Sequence, residues 1–274
     1  IDREGFYQGK LLLNKVLTHD ENTLVKDAMN TQHEPILATT DEHEIAHFFE
    51  QYHFVSAPVV DENNLLLGRI TMDDVIHILR AESDHVLMGR DGLDEEVDLF
   101  APVISSTKRR TVWLGINLVT AFLAAWVIGI YADTLDKIVA LAVLMPVVAS
   151  MGGIAGSQTL TLTIRGLALD QITAGNSIWL ARKEILIGII NGLLWAIVVA
   201  FIAWLWFQDA GISLVIAAAI AINLVAAAAS GVAIPLILQR LNIDPALSGA
   251  VVLTTVTDVV GFMSFLGLAT YFLL

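Results

Sequence analysis

Five apolar stretches, each long enough to cross a lipid bilayer, fill the chain from residue 111 onward. A helix needs about 20 apolar residues to span the hydrocarbon core, because it rises about 1.5 Å per residue. The stretches cover residues 111–131, 138–164, 185–207, 213–238 and 247–274. In lipid a single segment satisfies its own backbone hydrogen bonds only as a helix. The sequence therefore predicts a mainly α membrane domain with five transmembrane helices over residues 111–274.

Charged residues are concentrated ahead of these stretches. Residues 1–110 contain 21 acidic and 10 basic side chains and all 7 histidines, and the net charge of the chain is −13. This division predicts a separate acidic domain in front of the membrane domain. Nucleic acid is excluded as a partner, because an acidic surface repels phosphate. The chain has no cysteine, which excludes disulfides and cysteine-based metal or nucleophile chemistry.

The basic residues predict the orientation in the membrane. If the connecting segments alternate sides, only Lys137 lies on one side, and the other side carries Lys108, Arg109, Arg110, Arg165, Arg182, Lys183 and Arg240. Basic residues favour the cytoplasmic side. We therefore expect a protein of the cytoplasmic (inner) membrane with its N-terminal domain in the cytoplasm and its C-terminus outside. Residues 176–184 are predicted to form a short interfacial helix.

Asp258 is the only acidic or basic residue inside the last stretch. It lies about 11 residues and roughly 16 Å into that stretch, near the bilayer midplane. A carboxylate at this depth costs about 3 kcal/mol on insertion scales, and such residues usually face a cavity, a partner or an ion. Asp258 is therefore predicted to be an ion site. The alternative is a neutral acid held by the hydroxyls of Thr254, Thr255 or Thr257.

The second stretch combines a proline with small and hydroxyl residues. Pro146 frees a backbone carbonyl, and Gly152 and Gly156 lie on one helical face. This pattern has two interpretations, a close helix–helix contact or a pore wall that meets a hydrated cation. Oxygen ligands without His or Cys disfavour soft metals. A single carboxylate, doubled by a two-fold axis, suits Mg²⁺, although chemistry alone does not separate Mg²⁺ from Mn²⁺, Ca²⁺ or a proton.

Residues 31–81 are predicted to form a compact α/β unit. The predicted elements are a strand at 36–38, a helix at 41–52, strands at 55–60 and 65–70 and a helix at 71–80. The run A-P-V-V-D-E-N-N-L-L-L-G-R-I-T-M-D-D-V resembles a CBS domain. Residues 1–30, with G-K-L-L-L-N-K-V-L and V-K-D-A-M, resemble the C-terminal part of a preceding CBS domain and its linker.

Two motifs in this unit have competing interpretations. Thr71 and Asp74 have the T-x-x-D form that holds ribose in CBS domains, so the resemblance implies binding of ATP or another adenine nucleotide. The alternative is an N-terminal cap of the last helix. The run from His43 through Glu44 to His47 is a literal H-E-x-x-H, the signature of zinc proteases. Because it falls on a polar helix outside the membrane stretches, a membrane zinc metalloprotease is the less favoured alternative.

Residues 82–110 connect the two domains and are predicted to form an acidic helix. Its acids are Glu82, Asp84, Asp91, Asp94, Glu95, Glu96 and Asp98. A charge run is usually a solvated connector. Beside a cation pathway, however, crowded carboxylates repel one another and divalent cations relieve the repulsion, so this segment is also a candidate Mg²⁺ sensor.

Taken together, the chain resembles the MgtE-type magnesium channels. The resemblance lies in the CBS unit, the acidic connection and the runs M-P-V-V-A-S-M-G-G-I-A-G-S-Q-T, R-G-L-A and D-P-A-L-S-G-A-V-V-L-T-T-V-T-D-V-V-G. It implies a homodimer with a pore on the two-fold axis. It also implies closure by Mg²⁺ bound among the acids of the CBS unit and the connecting "plug" helix. The implied pore site comprises Asp258, Thr254, Thr255, Gly152, Gly153 and Ala250.

The expected function is Mg²⁺ influx down the membrane potential, and the protein is not expected to be an enzyme. The rival within transport is a divalent cation exchanger coupled to H⁺ or Na⁺. Two departures from the family pattern stand out. Ile154 replaces the Asn of the usual G-G-N-A-G, and the chain is expected to lack the family's N-terminal helical domain and most of the first CBS domain.

Overall fold

The computed structural model describes residues 1–31, 35–89, 93, 100, 102–169, 171–173 and 175–274. The chain divides into two compact units, Ile1–Ser83 and Asp84–Leu274. The first contains a small sheet with short helices, and the second contains the long apolar helices. The predicted fold class, a helical membrane part preceded by an α/β module, is confirmed.

A three-stranded sheet organises the first unit. Its elements are α1 (Leu13–Thr18), α2 (Val25–Ala28), β1 (Ile36–Leu37), α3 (Glu42–Tyr52), β2 (Ser56–Val60), β3 (Leu66–Thr71) and the start of α4 (Met72–Gly89). β1 is parallel to β2, and β3 is antiparallel to β2. The turn before β3 forms because the carboxylate of Asp61 accepts hydrogen bonds from the backbone N–H groups of Asn63 and Leu65, at 2.9 and 2.8 Å. The β-α-β-β-α order predicted for residues 31–81 is confirmed.

The second unit is a bundle of long helices around a central one. It contains α5 (Val103–Ile130), α6 (Ala132–Lys137), α7 (Ala140–Ala168), α8 (Ser177–Phe207), α9 (Ala210–Arg240) and α10 (Pro245–Leu273). Among the described residues, α5 and α7 to α10 are the five helices long and apolar enough to cross a membrane. α9 packs against α7, α8 and α10, whereas α5 packs on α10.

Acidic caps begin the last two helices. The carboxylate of Asp209 accepts hydrogen bonds from the backbone N–H groups of Gly211 and Ile212, at 2.7 and 3.1 Å. Asp244 accepts one from the backbone N–H of Ala246 at 2.8 Å, and Pro245 occupies the first helical position. Such caps satisfy N–H groups that have no partner within a helix. The caps therefore define where α9 and α10 start.

Small residues let α8 approach α9 closely. A Cβ atom on Gly188 would lie 2.7 Å from the Cβ of Ala228, and one on Gly192 would lie 3.2 Å from the carbonyl oxygen of Ala221. Glycines four residues apart are a common means of close packing in membranes. This contact fixes α8 to the central helix.

Helix boundaries differ from the sequence prediction in two places. α8 is continuous from Ser177, so the separate interfacial helix predicted at 176–184 is wrong. The described ends of the predicted 82–110 helix belong to longer helices, since α4 continues to Gly89 and α5 begins at Val103. In both places a helix passes through charged residues without interruption, because charge alone does not end a helix.

Candidate functional site

α10 carries four of the six residues predicted for the pore site. Ala250, Thr254 and Asp258 recur every four residues, so they lie on one side of the helix. Thr254 is exposed, and Ala250, Thr255 and Asp258 are partly buried. α10 therefore presents a carboxylate and hydroxyl groups together near the middle of a membrane-length helix.

The threonine hydroxyls around Asp258 donate their protons to the helix backbone. Thr254 Oγ1 donates to the carbonyl of Ala250 at 2.8 Å, and Thr255 Oγ1 donates to the carbonyl of Val251 at 2.7 Å. Thr257 Oγ1 donates to the carbonyl of Thr254 at 3.1 Å. None of these protons is directed to Asp258, so the interpretation of a neutral acid held by threonine hydroxyls is wrong.

The carboxylate of Asp258 makes no hydrogen bond or ion pair with any other residue that the structure describes. A carboxylate in a membrane helix needs water, an ion or a partner to offset the loss of hydration. A hydroxyl that donates its proton keeps its lone pairs as acceptors. The face thus offers oxygen acceptors only, which are the ligands that Mg²⁺ and Ca²⁺ prefer.

The second polar surface is an open groove of about 630 Å³ along α7. The α7 groove is lined by Gly153, Ile154, Ser157, Gln158, Thr161 and Leu162. Nothing lies within 4 Å of a Cβ atom placed on Gly153, which shows how open this side is. Its lining comes from α7 alone, so Asp258 is not part of it. Gly153 is the predicted pore residue that the groove contains.

Gly152, the neighbouring predicted pore residue, faces the opposite way. It is buried, and a Cβ atom there would overlap the amide nitrogen of Asn223 on α9. Gly156 also turns inward, where a Cβ would lie 3.0 Å from Leu253 of α10. The interpretation as a close helix–helix contact therefore applies to Gly152 and Gly156. Gly153 lies on the open side, as the interpretation as a pore wall requires.

Glu184 is a buried polar residue that the sequence prediction missed. It is 5% exposed, and its carboxylate accepts a hydrogen bond from Thr159 Oγ1 of α7 at 3.2 Å. Glu184, Gly188, Gly192 and Ala196 are all buried and recur every four residues. This four-residue spacing could have identified Glu184 from the sequence, because it continues the buried stripe of α8 into the predicted interfacial helix.

The predicted regulatory acids are only partly described. Asp84 is exposed on α4, and Glu82 also lies in α4. The remaining predicted residues lie outside the described residues: Asp91, Asp94, Glu95, Glu96 and Asp98. Within the described ranges, no three His, Asp or Glu residues lie close enough to hold a metal ion together. The Mg²⁺ sensor therefore stays a prediction.

Thr71 and Asp74 contact each other at the start of α4. The carboxylate of Asp74 accepts hydrogen bonds from the backbone N–H and the hydroxyl of Thr71, both at 2.8 Å. Both bonds favour the ionised carboxylate and hold the pKa of Asp74 below its usual value. The bond from the backbone N–H of Thr71 has the larger effect. The pair thus stabilises the first turn of the helix, as the capping interpretation predicts.

An aromatic cavity of about 220 Å³ lies beside this pair in the first unit. Tyr7, Tyr52 and Phe54 line it, and the rings of Tyr52 and Phe54 stack with centroids 5.6 Å apart. Ser56, another lining residue, pairs with Thr71 across the sheet. Lys10 also lines the cavity and donates a hydrogen bond to the carbonyl of Ser56. The cavity therefore combines flat rings with one positive charge.

The H-E-x-x-H residues lie on α3, in the first unit. Glu44 and His47 are exposed at the surface of that unit. Zinc proteases need a third ligand close to the two histidines. None completes such a group among the residues the structure describes.

The fold and the two polar surfaces define a class of protein: a multi-span membrane protein with a small α/β module and an acid-bearing polar face. The family model of the MgtE divalent cation transporters matches residues 145–268, and the CBS domain model matches residues 25–81. Residues 145–268, which span most of α7 to α10, are thus similar to the MgtE family.

Its relatives are named as magnesium transporters. The chain is 31% identical to magnesium transporter MgtE of Bacillus subtilis, over 97% of this chain and 59% of that protein. It is 31% identical to magnesium transporter MgtE of Thermus thermophilus, over 98% of this chain and 60% of that protein. The chain thus spans about three fifths of the length of these relatives.

A solved structure also matches part of the chain. It is described as the cytosolic domain of the Mg²⁺ channel MgtE in complex with ATP, and it is 35% identical to this chain. The match covers 28% of this chain and 32% of that chain, with a TM-score of 0.28.

Proposed function

We propose that this chain forms a Mg²⁺ channel in the cytoplasmic membrane, in which Asp258 is the intramembrane ion site. The observation that carries the proposal is the partnerless carboxylate of Asp258, among the described residues, on a face of α10 that also bears Thr254. Its oxygen ligands suit a hard cation that keeps part of its water shell. The similarity to proteins named magnesium transporters selects Mg²⁺ among such cations.

A second copy of the chain completes the proposed pathway. Ser157, Gln158 and Thr161 are polar residues in the α7 groove, and lipid is a poor environment for them. A two-fold axis beside this surface would pair like faces, as closed homodimers do. We also propose that this axis brings two Asp258 carboxylates toward one ion, because a divalent cation neutralises two such charges.

Influx needs no chemical fuel. Each charge gains about 2.3 kcal/mol per 100 mV of inside-negative potential, so a divalent cation gains about 4.6 kcal/mol. With the acidic unit in the cytoplasm, that potential drives Mg²⁺ inward. Hydrolysis of a substrate is not required, in keeping with a transporter rather than an enzyme.

Regulation by cytosolic Mg²⁺ is the second element of the proposal. The acids of the connecting segment repel one another, and bound Mg²⁺ would stabilise whichever arrangement brings them together. We propose that this arrangement is the closed one. A ligand shifts an equilibrium only by its difference in affinity for the two states, so closure requires tighter Mg²⁺ binding by the closed state.

Adenine nucleotide binding is the third element. The aromatic cavity offers the rings of Tyr7, Tyr52 and Phe54 for stacking on a base, and Lys10 offers a charge for phosphate. ATP titrated into the purified chain should bind, and Lys10→Ala should weaken the binding several-fold. Lys15→Ala, an exposed lysine on α1, is the matched control. Absence of ATP binding by wild type would remove this element, and equal affinity of all three proteins would remove the role of Lys10. Either result would leave the transport proposal intact.

The test of transport is Mg²⁺ uptake into liposomes at a fixed inside-negative potential. Wild type should take up Mg²⁺ without a Na⁺ or proton gradient, and Asp258→Ala should lower uptake at least 100-fold. Asp136→Asn, an exposed acid on α6, should behave as wild type.

Two results would contradict the proposal. Normal uptake by Asp258→Ala would remove Asp258 from the pathway. Uptake that appears only with a Na⁺ or proton gradient would instead indicate the coupled exchanger.

A further inference from the structure

Asn223 lies at the centre of the membrane unit, on the one helix that contacts α7, α8 and α10 alike. Its side chain is 0% exposed. A Cβ atom on Gly152 of α7 would overlap its amide nitrogen, and one on Gly261 of α10 would lie 2.7 Å from the same atom. The Asn223 amide therefore fills a slot that exists only because both neighbouring helices have glycine there.

The amide binds the backbone of α7 and not one of its side chains. Asn223 Nδ2 donates a hydrogen bond to the carbonyl oxygen of Val148 at 2.9 Å. This acceptor fixes the orientation of the amide, because the reversed orientation would bring two oxygens together. The bond therefore fixes the height of α7 along α9.

The oxygen of the Asn223 amide, unlike its nitrogen, has no hydrogen bond within the part of the chain that the structure describes. This oxygen, Asn223 Oδ1, is buried. A buried acceptor without a partner costs free energy, and an apolar side chain of similar size would avoid that cost. Stability alone therefore does not account for an asparagine here.

We infer that Asn223 is a positioning residue for the cation pathway, which sets α7 and α10 relative to each other at the level of Asp258. The inference rests on the proposed transport function. Gly261 follows Asp258 by three residues on α10, and Gly152 precedes Gly153 of the α7 groove. A change at Asn223 is thus passed to both polar surfaces through the two glycines, although Asn223 itself reaches neither surface.

The test compares Asn223→Leu with wild type, Asp258→Ala and Asn191→Leu in the liposome assay. Asn191 is the matched control, an exposed asparagine in the middle of α8. Asn223→Leu should remain folded and monodisperse, with thermal stability equal to or above that of wild type. Its Mg²⁺ uptake should fall at least tenfold, and its ratio of Mg²⁺ to Co²⁺ uptake should change. Asn191→Leu should match wild type in uptake and in ratio.

A compensating pair separates positioning from packing. Gly152→Ala should destabilise the protein, because its methyl group meets the Asn223 amide, and adding Asn223→Ala should restore stability by making room. If Asn223 acts through its hydrogen bond to α7, the double variant regains stability but not uptake. If Asn223→Leu fails to fold, the double variant still tests the positioning role, because regained stability without regained uptake supports that role.

The outcomes distinguish failure of the positioning role of Asn223 from failure of the proposed transport function. Wild-type uptake and ion ratio in Asn223→Leu, or full uptake in the double variant, would overturn the positioning role while Asp258-dependent transport stands. Absence of Mg²⁺ uptake by wild type would overturn the proposed function and this inference with it.

Discussion

Ile154 on α7 and Ile190 on α8 form a natural comparison between two exposed regions of the membrane unit. Both are isoleucines near the middle of a membrane-length helix, and both are 57% exposed. Their surroundings differ. Leu186, Leu193 and Ile197 surround Ile190, whereas Ser157, Gln158 and Thr161 share the α7 groove with Ile154.

The difference separates two kinds of exposure. The side of α8 that carries Leu186, Ile190, Leu193 and Ile197 is apolar, as a lipid-facing surface must be. The surface around Ile154 carries amide and hydroxyl groups that lipid cannot satisfy. The proposed function therefore assigns different neighbours to the two residues: lipid to Ile190, and water or a second copy of the chain to Ile154.

The sharpest test places an aspartate at each position. Ile190→Asp should lower the yield of membrane-inserted protein, because an Asp at a helix centre costs about 3 kcal/mol, or roughly 100-fold. Ile154→Asp should insert nearly as well as wild type, because its surroundings are polar. Quantifying inserted protein in membrane fractions measures both. Equal losses at the two positions would mean that α7 also faces lipid.

A second test uses the absence of natural cysteines. Ile154→Cys should react with a short bis-maleimide and yield a covalent dimer, since a two-fold axis would bring the two residues together in water. Ile190→Cys should give several-fold less dimer, because a thiol in lipid forms little reactive thiolate. Band intensities on denaturing gels supply the readout. Dimer from Ile190→Cys but not from Ile154→Cys would place the interface on α8.

The third test contrasts the two sides of α7 itself. Thr159→Val removes the hydrogen bond to the buried carboxylate of Glu184 and should cost about 1–3 kcal/mol of stability. Thr161→Val removes an exposed hydroxyl of the α7 groove and should leave the unfolding midpoint unchanged. Thermal unfolding in detergent gives both values. A loss at Thr161 as large as that at Thr159 would show that the groove is already packed within one chain.

Much of the fold follows from local patterns in the sequence. The apolar stretches are long enough to predict five membrane helices without reference to any contact, and the D-E-N-N turn predicts the two strands on either side of it. Helix ends were less predictable where charged residues adjoin apolar ones. Arg182, Lys183 and Glu184 fall in the predicted interfacial helix, yet Glu184 is buried because its side of α8 meets α7 and α9.

The candidate site shows the same limit. Asp258 was identifiable because one acid in a long apolar stretch stands out from composition alone. Gly152 and Gly153 could not be told apart, because adjacent residues point to different sides only once the packing partner of the helix is known. Asn223 could be recognised as polar but not as central, since its importance depends on glycines that are distant in sequence.

The central position of α9 has a consequence for synthesis. α7 and α8 leave the ribosome before α9, yet each packs mainly on helices that follow. Until the fourth span is inserted, Gly188 and Gly192 of α8 lack their neighbours on α9, and Gly152 of α7 lacks Asn223. The bundle therefore packs completely only after α9 is inserted. In a chain stopped before α9, groups that the full bundle buries remain accessible to the quality-control proteases of the membrane.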